Sequence, residues 1–364
     1  MIKLLIVDDS ALMRRLLTEL FEQEGDFEIR QARNGEEAVR LNLDFQPDII
    51  TLDVNMPGMD GITALSLIMA ERPVPVIMVS SLTEKGALVT LEALNLGAVD
   101  YVLKPGGTIS LSIDEIKDEL ISKVRAVVKA KVRKKERAGA ASTQFAPKSV
   151  SKPAGTAAKI SSGRQKYAEE GLVVIGASTG GPRTLEDILV SFPADFPWPI
   201  LVAQHMPPLF TSSFAKRLDG LCPLNVIEVT KPMEVMPGAV YLAKGGADMV
   251  VTRRVGKLMA VPKPENPKYL WHPAVDLLGW SVLEHCDPKK VIAVLLTGMG
   301  YDGAESFAEI KRRGGRTIAE SEESAIVFGM PKELIEKDGA TLILPAEKIA
   351  SQVKIWIGRE VKVG

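Results

Sequence analysis

The sequence predicts an α/β protein of two domains joined by a linker: a (βα)5 unit, then a doubly wound, mainly parallel α/β unit. Three observations predict it. Short apolar runs end repeatedly in polar or glycine-rich residues, as strands buried on both faces of a parallel sheet do. Helical periodicity fills the intervals, and both patterns stop between 138 and 167. A chain of 364 residues is long enough for more than one core, and that break divides it into two.

The apolar run 2–7 ends in Asp8-Asp9, with Ser10 placed to cap a helix. The run 48–52 ends in Asp53, 75–79 in Ser80, and 98–103 in Lys104-Pro105. These strands carry their polar groups to one end of a sheet. Asp8, Asp9 and Asp53 converging there repel one another unless a divalent cation intervenes, and hard oxygen ligands suit magnesium. Lys104 is suited to pair with a phosphoryl group and Ser80 to donate to one of its oxygens, which makes Asp53 the phosphate acceptor. A turn-forming role explains Asp60 in Met59-Asp60-Gly61 but not the set of three.

Ile113, Ile116, Leu120, Val124 and Val127 stand at helical spacing and form a core-facing stripe that closes the first unit. The basic run 129–137 reads as a solvated helix end. From 138 to 167 the chain is rich in Ala, Ser, Lys, Gly and Pro and cannot bury a core. The expected organisation is a domain over 1–128, a linker over 129–168 and a second domain over 169–364. Such a tether holds two domains at high effective concentration while letting their contact open and close.

The second domain opens with LVVIGASTGGP at 172–182, an apolar strand, a glycine-hinged turn carrying Ser178, and a proline suited to the first turn of a helix. Three readings compete for this turn: a structural βα turn, a dinucleotide fingerprint with serine in its middle place, and the nucleophile elbow G-x-S-x-G. A dinucleotide site wants an acidic residue at the end of the next strand; here 200–203 runs into Gln204-His205. A third apolar run, 291–296, leads into a glycine-rich loop bearing Asp302. In an open α/β sheet the carboxyl ends of neighbouring strands converge, so Ser178, His205 and Asp302 are expected to meet as nucleophile, base and orienting carboxylate. Their chain order differs from that of the α/β-hydrolases.

His272, just before a helix expected over 274–284, lines the substrate mouth or packs. His285 adjoins Cys286, but neighbours on a helix point about 100° apart, so no dyad forms there. The run 240–243 reads as a strand, and 249–252 with 257–261 as a hairpin.

A formal net charge of −1 gives no case for nucleic acid or a membrane surface, and the two cysteines make neither a disulfide framework nor a zinc pattern. No apolar run approaches the roughly 18 residues that span a bilayer, so the expectation is a cytoplasmic protein without membrane insertion.

GASTGG at 176–181, QHMPP at 204–208, LTGMGYDGA at 296–304 and FGMP at 328–331 together resemble the chemotaxis protein-glutamate methylesterases, the CheB family. VDDS, LDVNMPGMDG, VSS and YVLKP resemble a response-regulator receiver domain, a flavodoxin-like fold, with Tyr101 at its aromatic switch position beside Ser80 and Lys104. The resemblance implies that Ser178 attacks a glutamyl methyl ester, His205 is the base and Asp302 orients it, with Thr179 and the Met299 N–H holding the oxyanion. It also implies deamidation of selected glutamines and inhibition by the receiver until Asp53 is phosphorylated. The FGMP segment is implied to pack beside the active crevice. Magnesium serves the receiver and no cofactor the esterase. The implied partners are methyl-accepting receptors as substrate and a histidine kinase as phosphodonor, with the protein itself a monomer. A nucleic-acid-binding or nucleotide-binding output domain is the alternative, and the second half shows no helix-turn-helix pattern or basic recognition stripe.

Overall fold

The computed structural model describes residues 1–80, 83–104, 109–138 and 171–360. The linker expected from 129 is helical as far as 138, and its remainder lies outside the described residues.

The amino-terminal domain alternates β1 (Ile2–Val7), α1 (Ala11–Glu22), β2 (Phe27–Ala32), α2 (Gly35–Asp44), β3 (Ile49–Asp53), α3 (Gly61–Glu71), β4 (Val76–Ser80), α4 (Glu84–Leu96), β5 (Asp100–Leu103) and α5 (Ile109–Ala138). Its sheet is wholly parallel in the order β2-β1-β3-β4-β5. Helices start where the sequence supplies an acceptor for an orphan N–H: Ser10 takes Met13 N, Asn34 takes Glu37 N, Asp60 takes Thr63 N and Thr83 takes Gly86 N. Asp60 is thus a cap rather than a metal ligand. One sheet face packs Leu4 and Ile6 on Met13, Phe21, Leu120 and Val124; the other packs Leu5 and Val7 on Leu52, Leu65 and Ile68. Leu120, Val124 and Val127 of the α5 stripe are buried as expected, while the side chain of Ile113 lies outside the described residues.

The second domain runs β6 (Leu172–Ala177), α6 (Gly181–Leu189), β7 (Ile200–Gln204), α7 (Pro208–Leu221), β8 (Asn225–Val229), β9 (Met233–Glu234), β10 (Ala239–Ala243), β11 (Asp248–Arg254) and β12 (Lys257–Lys263). It continues with α8 (Val275–His285), β13 (Val291–Leu295), α9 (Ala304–Arg312), β14 (Arg316–Glu320), α10 (Met330–Glu336), β15 (Leu342–Leu344) and α11 (Ala346–Glu360). Seven parallel strands lie in the order β15-β14-β13-β6-β7-β10-β8. The expected hairpin is β11-β12, with β9 added to make a separate three-stranded antiparallel sheet.

The order reverses at β6, which pairs with β7 on one side and β13 on the other. The chain builds the sheet from β6 toward β8 on one side and later from β13 to β15 on the other, which opens a crevice at the carboxyl end of β6. The amino-terminal domain closes over that crevice. Helix α4 packs on α7, and the Tyr101 ring stacks on Phe210 of α7 with centroids 4.4 Å apart and an interplanar angle of 6°. Among the described residues no helix is long and apolar enough to cross a membrane.

Candidate active site

Ser178 follows β6, and the turn that presents it is tied down from both neighbouring strands. Its N–H donates to Thr297 O (3.0 Å), and Gln204 Nε2 donates to Ser178 O and His205 O (3.0 Å each). Thr297 Oγ1 donates to Thr179 O (2.8 Å) and accepts from Val327 N (2.9 Å), while buried Glu320 accepts the Thr297 N–H at 2.7 Å. Gly180 stands at φ +80° as the cap of α6, a left-handed conformation that a side chain disfavours. At Gly298 a Cβ would come within 2.7 Å of Ser178 Cβ, so only glycine lets the loop after β13 approach this closely. The FGMP segment closes the far side: Gly298 N donates to Val327 O, and Gly329 N and Met330 N donate to Gly298 O.

His205 follows β7, and its Nε2 lies 2.8 Å from Asp302 Oδ2. Asp302 is buried and also accepts two N–H groups from the start of α8, Val275 N on Oδ2 (2.7 Å) and Asp276 N on Oδ1 (2.8 Å). A carboxylate so placed acts as acceptor only, so Nε2 carries a hydrogen and, in the neutral ring, Nδ1 keeps its lone pair. Nδ1 is buried and has no hydrogen-bond partner among the described residues. Trp271 stacks on the imidazole with centroids 5.8 Å apart and 8° between planes, and Tyr301 meets Trp271 edge-on at 5.1 Å.

Ser178, Thr179, His205, His272 and Met299 line one cavity of about 380 Å³, while Asp302 stands behind His205. The amino-terminal domain contributes Asp100, Tyr101, Glu119 and Lys123 to the lining of the same cavity. Lys123 Nζ pairs with Asp100 (3.2 Å) and Glu119 (2.8 Å), lies over the Tyr101 ring and donates to Tyr101 O (2.8 Å).

At the carboxyl edge of the first sheet, carboxylate oxygens of Asp8, Asp9 and Asp53 lie within 4.8 Å of one another. Lys104 Nζ is 2.8 Å from both Asp8 Oδ2 and Asp53 Oδ2. Burial pushes the Asp53 carboxyl above its ordinary pKa, with Asp8 adding to the shift and Lys104 opposing it. Burial disfavours the Lys104 ammonium, but Asp53 and Asp8 outweigh it and hold its pKa above the usual lysine value. Three hard oxygens with one exposed member, Asp9, make a donor set that fits magnesium. Ser80 is buried with Thr90 Oγ1 of α4 at 2.9 Å, which joins this edge to the helix packed on α7.

The remaining polar supports, Gln204, Thr297, Glu320 and Asp248, are not among the residues singled out from the sequence. Gln204 and Glu320 end their strands next to the turn, and buried polar groups at strand ends are the signal that finds such supports.

A family model described as CheB methylesterase matches residues 173–353, and one described as response regulator receiver domain matches 4–113. The chain is 53% identical over 363 residues to a protein-glutamate methylesterase/protein-glutamine glutaminase of Rhodospirillum rubrum, covering 99% of this chain and 97% of that one. Relatives of the same name from Rhodopseudomonas palustris (50% over 359 residues, 98% of each chain) and Caldanaerobacter subterraneus (49% over 354 residues, 96% and 95%) are similar along nearly their whole lengths. These likenesses leave a nucleic-acid-binding or nucleotide-binding output domain without support.

Neither cysteine suits a nucleophile. Burial pushes the Cys222 thiol up to about 12 and the Cys286 thiol up to about 11. A raised thiol pKa means less thiolate at neutral pH than an ordinary thiol has, and the thiolate is the reactive form. Alkylation by iodoacetamide at pH 8 is accordingly expected to be slow in the native protein and to accelerate sharply in urea. Fast native labelling of either half-buried thiol, located by mass spectrometry, would contradict this reading.

Proposed function

The chain belongs to the CheB family of protein-glutamate methylesterases carrying a receiver domain, and from that premise we propose that Ser178 is its nucleophile, His205 the general base and Asp302 the group that orients the imidazole. One observation carries the assignment: His205 Nε2 is held by Asp302, while Nδ1, unpartnered, belongs to a ring lining the same cavity as Ser178. Nδ1 takes the Ser178 proton as Oγ bonds to the ester carbonyl carbon of a glutamyl methyl ester. The carbonyl π electrons move to oxygen, where the N–H groups of Thr179 and Met299 receive the negative charge. Collapse breaks the C–O bond, and methanol departs with the proton held on Nδ1. Water then attacks the acyl-serine with Nδ1 again as base, releasing glutamate and restoring the Ser178 hydroxyl. A glutamine side chain follows the same route, with ammonia as leaving group. Acid–base assistance contributes about 10²–10⁴-fold and one oxyanion donor about 10²–10³-fold to such a reaction.

The receiver end supplies the control. Asp53 accepts a phosphoryl group from a histidine kinase, and Asp8, Asp9 and Asp53 would hold a magnesium ion, which neutralises the crowded carboxylates and phosphoryl oxygens. Lys104 and Ser80 hold the phosphoryl oxygens. Movement of Ser80 is felt by Thr90 and α4, and Tyr101 leaves its place on Phe210, loosening the wall over Ser178. Complete inversion from 1:99 to 99:1 needs about 5.5 kcal/mol of differential stabilisation, so graded activation is the expected response. The substrates are methyl-accepting chemotaxis receptors, reached from the cytoplasm by a monomeric enzyme.

Ser178→Ala is expected to lower methanol release from methylated receptor by at least about 10³-fold with an unchanged circular dichroism spectrum. Turnover near wild type in that variant would remove Ser178 from the mechanism. A small phosphodonor with magnesium is expected to raise methanol release by the wild type and leave Asp53→Asn unaffected. Equal activation of both would place the control elsewhere.

A further inference from the structure

We infer that His272, held by Asp248, recognises the carboxamide of a glutamine substrate and so sets the balance between deamidation and ester hydrolysis. The inference rests on the acyl-transfer reading above and concerns a second imidazole in the same cavity.

Asp248 is buried at the start of β11, and it accepts from three nitrogens: His272 Nδ1 (2.9 Å) and Ala274 N (2.8 Å) on Oδ1, and Asn266 N (2.8 Å) on Oδ2. Two of these are backbone N–H groups that only donate, so the carboxylate serves as acceptor and Nδ1 of His272 carries the ring hydrogen. In its neutral form the ring then presents Nε2 as a lone pair with no hydrogen. His272 lines the cavity with Ser178, Thr179, His205 and Met299, and its neighbour Trp271 stacks on His205. Gln204 Oε1, another acceptor close to this turn, is not available to a ligand: it is buried and packed against Gly181.

The two substrates share an acyl group and differ in what leaves. A carboxamide carries two N–H donors and a methyl ester carries none. A fixed acceptor on the cavity wall therefore finds a partner in the amide and only a methoxy group in the ester. Sites that hydrogen-bond one substrate discriminate against an analogue lacking the complementary group. A single neutral hydrogen bond corresponds to about a tenfold preference. His272 is on this account a positioning residue, and the proton transfers stay with His205.

The test uses full-length protein, a receptor-derived peptide carrying either glutamine or glutamyl methyl ester, and separate readouts of ammonia and methanol. In His272→Phe, kcat/KM for the glutamine peptide is expected to fall further than for the ester, lowering the ratio of the two activities about tenfold. His272→Gln, which retains a carbonyl acceptor, is expected to recover part of that ratio. A ratio within twofold of wild type in His272→Phe overturns the inference, whether both activities fall together, as a structural role requires, or neither falls. Residual methanol release reports that the variant is folded. Failure of the underlying reading looks different: Ser178→Ala would then retain both activities.

Discussion

The first turn of α8 is the constraint on which the site depends. Three successive N–H groups at its start, those of Ala274, Val275 and Asp276, are donated to two buried carboxylates, Asp248 and Asp302. A helix amino terminus leaves such donors unsatisfied and carries partial positive charge, so it stabilises buried anions that would otherwise be costly. Each carboxylate then orients one imidazole, Asp302 that of His205 and Asp248 that of His272. The helix is itself anchored, since Asp276 accepts the Ser306 N–H of α9 at 2.8 Å. Both rings are therefore placed by backbone groups rather than by a chain of flexible side chains.

Topology supplies the third partner. Because β6 lies between β7 and β13, Ser178 emerges between the strand that leads into His205 and the loop that carries Asp302. Gly298 allows that loop to close on Ser178, and Thr297, Gln204 and Glu320 tie the turn to its neighbours with hydrogen bonds of 2.7–3.0 Å. The amino-terminal domain adds a wall to the same cavity through Tyr101 and Lys123, while its acidic edge lies at the opposite end of a path through Ser80, Thr90 and α4. The two domains thus share the lining of one cavity.

Strand ends were the legible part of this protein. Apolar runs stopping at Asp8, Asp53, Ser80, Gln204 and Leu296 mark where a parallel sheet delivers its polar groups, and the side chains just beyond them form both candidate sites. Edge strands were harder to read. In β2 the pattern alternates imperfectly and four of six residues are partly or fully exposed, so its apolar signal is weak. The support around α8 was not legible either. Backbone donors leave no mark in a sequence, and Asp248 meets its partners 18–26 residues away. His272 could be ranked as a mouth residue from its position, but its carboxylate partner became visible only once β11 and α8 were placed. Asp60 belongs to the same lesson, because its neighbour glycine opens a helix for which it is the cap.

The central claim is that His205 Nδ1 activates Ser178. The most direct measurement is the rate at which a serine-reactive phosphonate modifies the protein, with the adduct located by peptide mass spectrometry in the wild type and in His205→Gln. A single adduct on Ser178 is expected, formed at least about a hundredfold more slowly without the imidazole. Equal rates in the two proteins, or an adduct on another residue, would contradict it.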